Sequence, residues 1–546
     1  MPDLWGYADL HCHPMAHLGF GGAGKGADSK RLFWGLPSGA TPQALSCCDT
    51  GHSLFQGSGL ISQIIDSGHG EGHGSYADWP RADTVIHQQM YVSWIRRAHA
   101  SGLRLMCALA VNNELLASLY WGENNDNSDW TAIKAQVKGI CALAHANESW
   151  MQIVKTPAEA RAAIAADKLA VVLGIEVDSL GDWRTDDDCS NADVEALVDE
   201  LYDELSIRTL TPIHLADNAF GGCAITNDSF CILNHHLSYV YTGADKGFYA
   251  IDEDASEAEL EGVQFLLGYE EKNALLRRSY DAAFPKYMKK RGDGHVNARS
   301  LTSKGKVLLE KMMKRGMLID VDHMSQHTIH AVLDRAEDVQ YPLISSHTTF
   351  RELQVTRAAR GPGKLHGVRN EGSLTRESVK RMRALGGILA PITHMGPVTK
   401  YVHPNQPLFP TDHDRRQDTS HSWAHAYLYG LELMGGDSIA IGTDFNGLAE
   451  QPRGRYTPER RHGPKVCVRY GKDKMVQLDQ ILWKRKIGNR KLNFNREGLV
   501  HYGLLPDFLR DVANQIAVED LMEPFFRSAE RFIQVWEKCE AVGQQL

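Results

Sequence analysis

Short apolar runs that predict buried β-strands alternate along much of the chain with segments whose apolar residues recur at helical spacing. This alternation favours a parallel sheet. No glycine-rich phosphate loop opens the first helix, so an α/β fold of the (β/α)8 TIM-like barrel type is predicted rather than a doubly wound sheet. Strands are predicted at 5–12, 103–111, 169–176, 208–214, 317–321, 341–346, 388–393 and 438–443, and helices at 84–101, 131–148, 157–167, 191–206, 302–315, 325–338, 375–385 and within 507–538.

Four stretches interrupt the pattern and are predicted to be long loop insertions. They lie near 15–80, 215–300, 395–430 and 450–500. The chain has 546 residues, which is long enough for a full barrel with sizeable insertions. We therefore expect a single barrel domain over residues 1–546.

The charge of the chain argues against a nucleic-acid partner. The formal net charge is -9, so no overall basic field would attract nucleic acid or an anionic membrane surface. Residues 451–500 are the exception, with 14 Lys plus Arg against 4 Asp plus Glu. A solvated insertion, a subunit contact and a rim that attracts anionic substrates are alternatives for this region, and no nucleic-acid recognition motif accompanies it.

The cysteines and the apolar runs point to the cytoplasm. The ten cysteines are scattered and show no Cys-x-x-Cys spacing, so neither a disulfide framework nor a thiolate zinc site is predicted. No apolar run is long enough to span a membrane, and the first residues lack the features of a signal peptide. A cytoplasmic protein with reduced cysteines and no membrane span is expected.

The first predicted strand ends in a His-x-His pair. In a strand over 5–12, His11 and His13 project from one face, where two imidazoles can bind one metal ion. Pro14 has no backbone N–H for a sheet, so both rings should lie at the carboxyl end of the strand, which is the active-site face of a barrel. Two exposed histidines are the alternative. Cys12 should point the opposite way, into packing.

Further side chains of metal-ligand type occur where other predicted strands meet their loops. A lone histidine at a strand end is usually structural, but repeated occurrence after apolar runs argues against coincidence. Imidazoles bind ions such as zinc, and a carboxylate can bridge two ions about 3.5–4 Å apart, where water becomes hydroxide near neutral pH. A two-metal hydrolytic site is therefore predicted from His11, His13, Glu176, His214, His323, His347 and Asp444.

The order His-x-His, Glu, His, His, Asp resembles that of the amidohydrolase superfamily, and the local sequences resemble its membrane (renal) dipeptidase branch. Each motif is weak by itself, but their order and spacing are specific and cover most of the chain outside the insertions. Residues 501–536 are also similar to the closing helices of that branch. The matching stretches are 174–176, 210–214, 217–218, 221–222, 318–325, 344–347, 369–370 and 442–447.

The resemblance implies two divalent metal ions as cofactors, with zinc as the expected metal. His11 and His13 would bind one ion, and His323 and His347 would bind the other. Glu176 would bridge the two ions. The branch usually has Asp at the position of His13, and a neutral imidazole there makes the metal pair more electropositive, which can change metal preference, hydroxide acidity and substrate.

The resemblance also implies the residues that act on the substrate. Asp444 would hold the metal-bridging hydroxide, accept its proton and donate it to the leaving amine. His214 would polarise the scissile carbonyl and stabilise the oxyanion. Arg369 would pair with the carboxylate of a dipeptide, and a surface salt bridge is its alternative role.

The other histidines and two neighbouring acids are expected to have supporting roles. Asp320 and Asp322 flank His323 and could orient it, or Asp322 could cap the following helix. Histidines in the glycine-rich loop are expected to be solvated, and the remaining ones to be structural or to orient ligands, since the metal positions are already filled. The first group is His17, His69 and His73, and the second is His235, His236 and His394.

Three functions remain open on the sequence. The leading hypothesis is a dinuclear-metal-dependent hydrolase of a small peptide-like amide, with dipeptidase activity on a small-molecule or dipeptide substrate. A metal-dependent phosphoesterase is an alternative, since Asp-Leu-His-x-His also opens some phosphatase barrels, and a site with three metals would favour it. A catalytically inactive barrel that acts as a binding protein is the other. The sequence also leaves open whether the protein forms a homodimer.

Overall fold

The structure is a computed structural model, and it describes parts of all four predicted insertions as well as the segments between them. The described residues are 4–23, 32–39, 44, 82, 85–118, 127–226, 251–252, 255–256, 260–266, 294–356, 358, 368–399, 401–404, 418–454, 468–469, 475–476, 494–516 and 518–546. Among them, no helix is long and apolar enough to cross a membrane.

The predicted α/β fold with parallel strands is confirmed. One sheet has the order β1-β2-β4-β5-β6, with β3 paired to the first residues of β4, and a second sheet pairs β7 with β8. All of these pairs are parallel. The strands are β1 (Tyr7–Cys12), β2 (Leu103–Asn112), β3 (Met151–Ile153), β4 (Leu169–Val177), β5 (Ile207–Thr211), β6 (Leu318–Ile319), β7 (Ile344–Thr348) and β8 (Ile388–Pro391). A separate antiparallel pair is formed by β9 (Val468–Arg469) and β10 (Met475–Val476).

Single parallel bridges connect the segments at the margins of these two sheets. Asp320 bridges to Ile344, which links the end of β6 to β7. The stretch predicted as a strand at 438–443 forms isolated parallel bridges instead. These join Ile439 to Leu389 of β8 and Ile441 to Asp9 of β1. The stretch that precedes Asp444 therefore lies between β8 and β1.

The helices follow the strands as predicted, with some differences in their bounds. They are α1 (Val92–Ala100), α2 (Glu114–Ser118), α3 (Asp129–Ala146), α4 (Pro157–Ala165), α5 (Asn191–Asp199), α6 (Ser303–Lys314), α7 (Gln326–Val339), α8 (Arg376–Ala384), α9 (Ser420–Leu433), α10 (Phe494–Glu497), α11 (Leu505–Ile516), α12 (Glu523–Phe526) and α13 (Ser528–Gly543). Ser325 caps α7, as expected, by accepting a hydrogen bond from the backbone N–H of Thr328.

Several predicted elements are shorter than the sequence pattern suggests, and for two of them the cause is a set of tertiary hydrogen bonds or a proline. The helix predicted over 84–101 begins only at Val92, since Gln88 and Gln89 are held in an irregular segment by hydrogen bonds with Asn446. The strand predicted over 208–214 ends at Thr211, next to Pro212, which has no N–H to continue the ladder.

The second half of the predicted insertion near 395–430 contains a helix. Residues from Ser420 onward form α9, and nearly all of this helix is buried, including Trp423. Its polar appearance in the sequence comes from serines and histidines whose side chains have partners. Ser420, for example, donates to Asp511, and His421 lies 2.7 Å from Gln515 Oε1. This segment is therefore part of the packed fold rather than a solvated loop.

Candidate metal centre

The seven side chains predicted at strand ends lie on the same side of the parallel strands. His11, Glu176 and His347 lie within the last residues of β1, β4 and β7, respectively. His13, His214 and His323 follow the ends of β1, β5 and β6 within a few residues, and Asp444 follows the bridged stretch 438–443. All seven side chains are buried or largely buried. Parallel strands place their carboxyl ends at one edge of the fold, which explains the convergence.

Glu176 lies at the centre of the cluster and separates two pairs of histidines. Its Oε2 atom lies 3.0 Å from Nε2 of His11 and 3.4 Å from Nε2 of His13. Its Oε1 atom lies 3.2 Å from Nε2 of His323 and 3.6 Å from Nε2 of His347. Each oxygen of one carboxylate thus contacts a different pair of imidazoles, which is the arrangement a bridging ligand requires.

Within each pair the two Nε2 atoms approach one another. They are 3.1 Å apart in His11 and His13, and 2.7 Å apart in His323 and His347. The Nδ1 atom of His13 lies 3.1 Å from the backbone carbonyl of Leu109, which can only accept a hydrogen bond. In the neutral ring, Nδ1 therefore carries the proton and Nε2 directs a lone pair at the centre of the site.

One hydroxyl group supports a histidine from each pair. Ser346 Oγ lies 2.7 Å from Nδ1 of His11 and 3.0 Å from Nδ1 of His347. The same hydroxyl donates a hydrogen bond to Asp320. Asp322 accepts a 2.7 Å hydrogen bond from the backbone N–H of His347. The two acids thus contact Ser346 and His347. Their role in orienting His323 stays a prediction, and Ser346 itself was not anticipated.

Asp444 reaches the cluster from the segment between β8 and β1. Its Oδ1 atom lies 3.3 Å from Nε2 of His13 and 4.0 Å from Nε2 of His11. Its backbone has a φ of 48°, and its N–H donates a 2.9 Å hydrogen bond to the carbonyl of His11. A Cβ atom at Gly442 would lie only 2.0 Å from the carbonyl oxygen of Ser346, so a glycine is required for this close approach.

His214 lies beside the cluster and has its own carboxylate partner. Its Nε2 atom is 3.8 Å from Oε2 of Glu176, and its Nδ1 atom is 3.1 Å from Oδ1 of Asp178. Sequence reasoning missed Asp178, although its spacing of two residues from Glu176 in an extended segment places both side chains on one face. The Asp178 carboxylate therefore lies beside the ring of His214, although Nδ1 forms no hydrogen bond of normal geometry with the described residues.

The electrostatics of the site favour positive charge. Burial acts to lower the pKa values of His13 and His323, but nearby carboxylates outweigh it. Asp444 and Glu176 raise the pKa of His13 to about 10, and Glu176 raises the pKa of His323 to about 9. Burial would raise the pKa of Glu176, but His11 and His214 hold it well below its usual range. Buried carboxylates thus make the site attractive to cations.

The donor set fits divalent metal ions. Imidazole nitrogens and carboxylate oxygens are the ligands zinc prefers in catalytic sites. Oε1 of Glu176 is buried and accepts no hydrogen bond from the described part of the chain, despite its 3.2 Å distance from His323. A buried carboxylate oxygen without a hydrogen bond is costly unless a cation satisfies it. Groups able to hold an ion include His11, His13, Glu176 and Asp444, and also Glu176, His214 and His323.

A cavity of about 290 Å³ opens over this site. Asn370 belongs to its wall, whereas the neighbouring Arg369 is not among the lining residues that the structure describes. The guanidinium of Arg369 donates instead to the backbone carbonyls of Gln354, at 3.3 Å, and Glu352, at 3.4 Å. The wall is formed by Thr226, Asp322, His323, His347, Thr348, Thr349, Gln354, Asn370, Gly372, Ile392, His394, Met395, Gly396 and Asp444.

Residues outside the cluster show one difference from expectation. His17, expected to be solvated, is buried in the short helical turn that follows β1. Cys12 is buried and its thiol lies 3.3 Å from the carbonyl of Cys107, so it faces packing as predicted. The predictions for His69, His73, His235 and His236 lie outside the described residues.

A buried cluster of histidines and carboxylates at the carboxyl ends of parallel strands is the kind of site found in metal-dependent hydrolases. The family model of membrane dipeptidase, peptidase family M19, matches residues 276–458. This segment contains His323, His347 and Asp444, whereas His11 and Glu176 precede it. The match confirms the resemblance to the membrane dipeptidase branch, and the protein is a metal-dependent hydrolase.

Solved structures and curated proteins complete the comparison. An amidohydrolase from Pseudomonas aeruginosa is 13% identical over 82% of this chain and 92% of its own, with a TM-score of 0.41. A metallo peptidase from Rhodobacter sphaeroides, liganded with a phosphinate mimic of the dipeptide L-Ala-D-Ala, is 12% identical over 81% and 89%, with a TM-score of 0.43. The probable dipeptidase PvdM from Pseudomonas aeruginosa is 10% identical over 83% and 89%, with a TM-score of 0.44. No curated protein matches the chain.

Proposed function

We propose that the protein is a dinuclear metal-dependent hydrolase that cleaves small peptide-like amides, with dipeptides as substrates. The observation that carries this proposal is the position of Glu176, whose two carboxylate oxygens each contact a separate pair of histidines. A single metal ion would need only one of these two histidine pairs. The cavity of about 290 Å³ above the site is large enough for a small amide substrate.

The proposal assigns the ligands as follows. His11 and His13 hold one divalent ion, His323 and His347 hold the other, and Glu176 is shared, with zinc as the proposed metal. When bound, such a pair supplies a water nucleophile at neutral pH and polarises a carbonyl oxygen. Ser346 and Asp320 keep the imidazoles oriented through the hydrogen bonds at His11 and His347.

Asp444 is proposed to move the proton. Its Oδ1 atom is close to the histidine ligand His13, so it can accept a proton from the attacking water and donate it to the nitrogen of the leaving amine as the C–N bond breaks. His214 is proposed to donate a hydrogen bond to the carbonyl oxygen as negative charge develops there, with Asp178 holding its ring.

Arg369 is proposed to bind the carboxylate of the dipeptide. Its neighbour Asn370 lines the cavity, and the hydrogen bonds of the guanidinium to the carbonyls of Glu352 and Gln354 are long enough to be exchanged for a carboxylate. The planar guanidinium matches two carboxylate oxygens, which suits a position that must orient one end of a short substrate.

We also propose that the parallel strands form a complete (β/α)8 barrel. The bridge between Asp320 and Ile344 would join the two sheets on one side. The bridges of Ile439 and Ile441 would close the ring between β8 and β1. In such a ring the proposed ligands occupy the carboxyl-terminal face, where active sites of this fold lie.

The test combines a substrate panel with metal analysis. Purified protein loaded with zinc should hydrolyse members of a panel of L-L dipeptides, L-D dipeptides and N-acyl amino acids, and should contain two ions per chain. Asp444→Asn should lower kcat by about 10²–10⁴-fold with metal content unchanged, because the amide keeps the shape but cannot take the proton. The matched control is Asp437→Asn, whose carboxylate pairs with Arg531 outside the site.

The outcomes separate the alternatives. Three ions per chain with hydrolysis of phosphate esters but not of amides would favour the phosphoesterase. Full metal loading without turnover of any substrate, or an Asp444→Asn variant as active as the wild-type protein, would contradict the hydrolase mechanism and favour a binding protein.

A further inference from the structure

A second histidine–carboxylate group lies in the cavity wall, apart from the proposed metal ligands. His394 follows β8, and its Nδ1 atom lies 3.0 Å from Oδ1 of Asp418. The backbone around it is fixed by two hydrogen bonds, from the N–H of Ile392 to the carbonyl of Thr348 and from the N–H of Thr393 to the carbonyl of Gly442. His394 therefore sits between the segments that carry His347 and Asp444.

The chemistry of the wall makes His394 distinctive. Among the lining residues that the structure describes, it is the imidazole that has no place in the two proposed metal groups. Thr226, Thr349, Gln354 and Asn370 supply uncharged polar groups to the same wall. His394 is thus the cationic group that this wall can offer to a substrate.

Asp418 contacts the imidazole of His394 and favours its protonated form. Although burial acts to lower it, the pKa of His394 is raised by the carboxylate of Asp418 and, more weakly, by Glu450, while Arg453 opposes this effect. Since His394 lines the cavity, a ligand there can approach the imidazolium. A charged N–H donor at a buried site forms a strong hydrogen bond with a carboxylate.

We propose that His394, oriented by Asp418, binds a carboxylate on the side chain of the substrate, so that the enzyme prefers dipeptides with an acidic carboxyl-terminal residue. This inference rests on the proposed function. There, Arg369 is assigned to the main-chain carboxylate, and its neighbour Asn370 shares a wall with His394. Two cationic positions then match the two carboxylates of such a residue.

A third metal ion could occupy the position next to His394 instead of a substrate carboxylate. His394, Asp418 and Glu450 could together hold an ion. Glu450, however, also pairs with Arg453 at 3.3 Å, so a metal would share that carboxylate with an arginine. The geometry therefore favours recognition of an anion by the imidazolium over coordination of a cation.

Ala-Glu and Ala-Gln form the test pair, because they share the main-chain carboxylate and nearly the same shape and differ in one charge. The wild-type protein should prefer Ala-Glu by about tenfold or more in kcat/KM, through a lower KM. His394→Gln should bring this ratio close to one. The control is His327→Gln, which removes another histidine paired with an aspartate, Asp252 at 3.2 Å, and which should keep the wild-type preference.

Equilibrium binding supplies a readout that does not depend on turnover. Calorimetry with zinc-loaded Asp444→Asn measures the affinity for both dipeptides, and the same variant with His394→Gln added should lose the tighter binding of Ala-Glu. If no dipeptide is hydrolysed by the wild-type protein but this difference in binding appears, the proposed function fails and the recognition site stands.

Three results would overturn the proposal. The first is equal affinity of Asp444→Asn for Ala-Glu and Ala-Gln. The second is an equal fall of kcat on both dipeptides in His394→Gln with KM unchanged, which would place His394 in the chemistry. The third is loss of one bound metal ion per chain in His394→Gln, which would make it a metal ligand.

Discussion

A Cβ atom at Gly447 would lie 1.7 Å from Oδ1 of Asp444, so the turn after Asp444 leaves room for its carboxylate only because residue 447 has no side chain. The backbone N–H of Gly447 also donates a 3.1 Å hydrogen bond to the carbonyl of Asp444. The carboxylate is therefore positioned by the backbone that follows it as well as by its contact with His13 at 3.3 Å.

Gly447→Ala should consequently lower kcat by about 10²-fold, because the new methyl group forces the carboxylate of Asp444 away from the reacting atoms. Steady-state kinetics measures this effect. The double variant with Asp444→Asn should be no slower than the slower single variant, since both changes act through the same carboxylate. Full additivity of the two effects would show that Gly447 acts in another way.

Ser346→Ala should weaken metal binding by about 10–100-fold, because one hydroxyl supports Nδ1 of both His11 and His347. Competition with a chelator measures the metal Kd. Ser378→Ala is the matched control, since it removes a buried hydroxyl that bonds to Thr375 at the start of α8, away from the histidines. Equal metal affinity of the two variants would contradict the supporting role of Ser346.

Arg369→Lys should raise KM for a dipeptide far more than it changes metal content, because lysine keeps the charge but lacks the planar pair of donors. Kinetics on a dipeptide and on its carboxyl-terminal amide tests this expectation. In the variant, the KM for the dipeptide should move closer to the KM for its carboxyl-terminal amide. An unchanged KM would limit Arg369 to its hydrogen bonds with the carbonyls of Glu352 and Gln354.

Glu371→Gln should lower the free energy of unfolding by about 1–3 kcal/mol. The two oxygens of the buried Glu371 accept hydrogen bonds from the backbone N–H groups of Ile225, Asn297 and Gln326, at 2.8–3.1 Å. In the Glu371→Gln variant, the side-chain NH2 group would face a backbone N–H, so two hydrogen-bond donors would oppose each other. The midpoint of urea unfolding should fall in this variant, whereas Glu310→Gln, which alters a partly exposed pair with Arg335, should leave it nearly unchanged.

The alternation of apolar runs and helical segments was enough to predict most strands and helices. Strands of a parallel sheet are buried on both faces, so each one appears in the sequence as a continuous apolar run. The short β3 was missed because three residues carry too little periodicity to be distinguished from a loop. Helix α9 was taken for part of an insertion because polar side chains such as Ser420 and His421 satisfy their hydrogen bonds with partners nearly a hundred residues away.

The sequence by itself determined which ligand-type residues stand at the ends of strands, because a parallel fold brings those ends to one edge whatever the details of packing. Only the tertiary structure decided that Glu176 faces one histidine pair with each oxygen and that Ser346 contacts a histidine in each pair. It also decided that His394, and not Arg369, is among the described residues that line the cavity. These relationships depend on distances and side-chain directions between residues far apart in the chain, and no local pattern of residues contains that information.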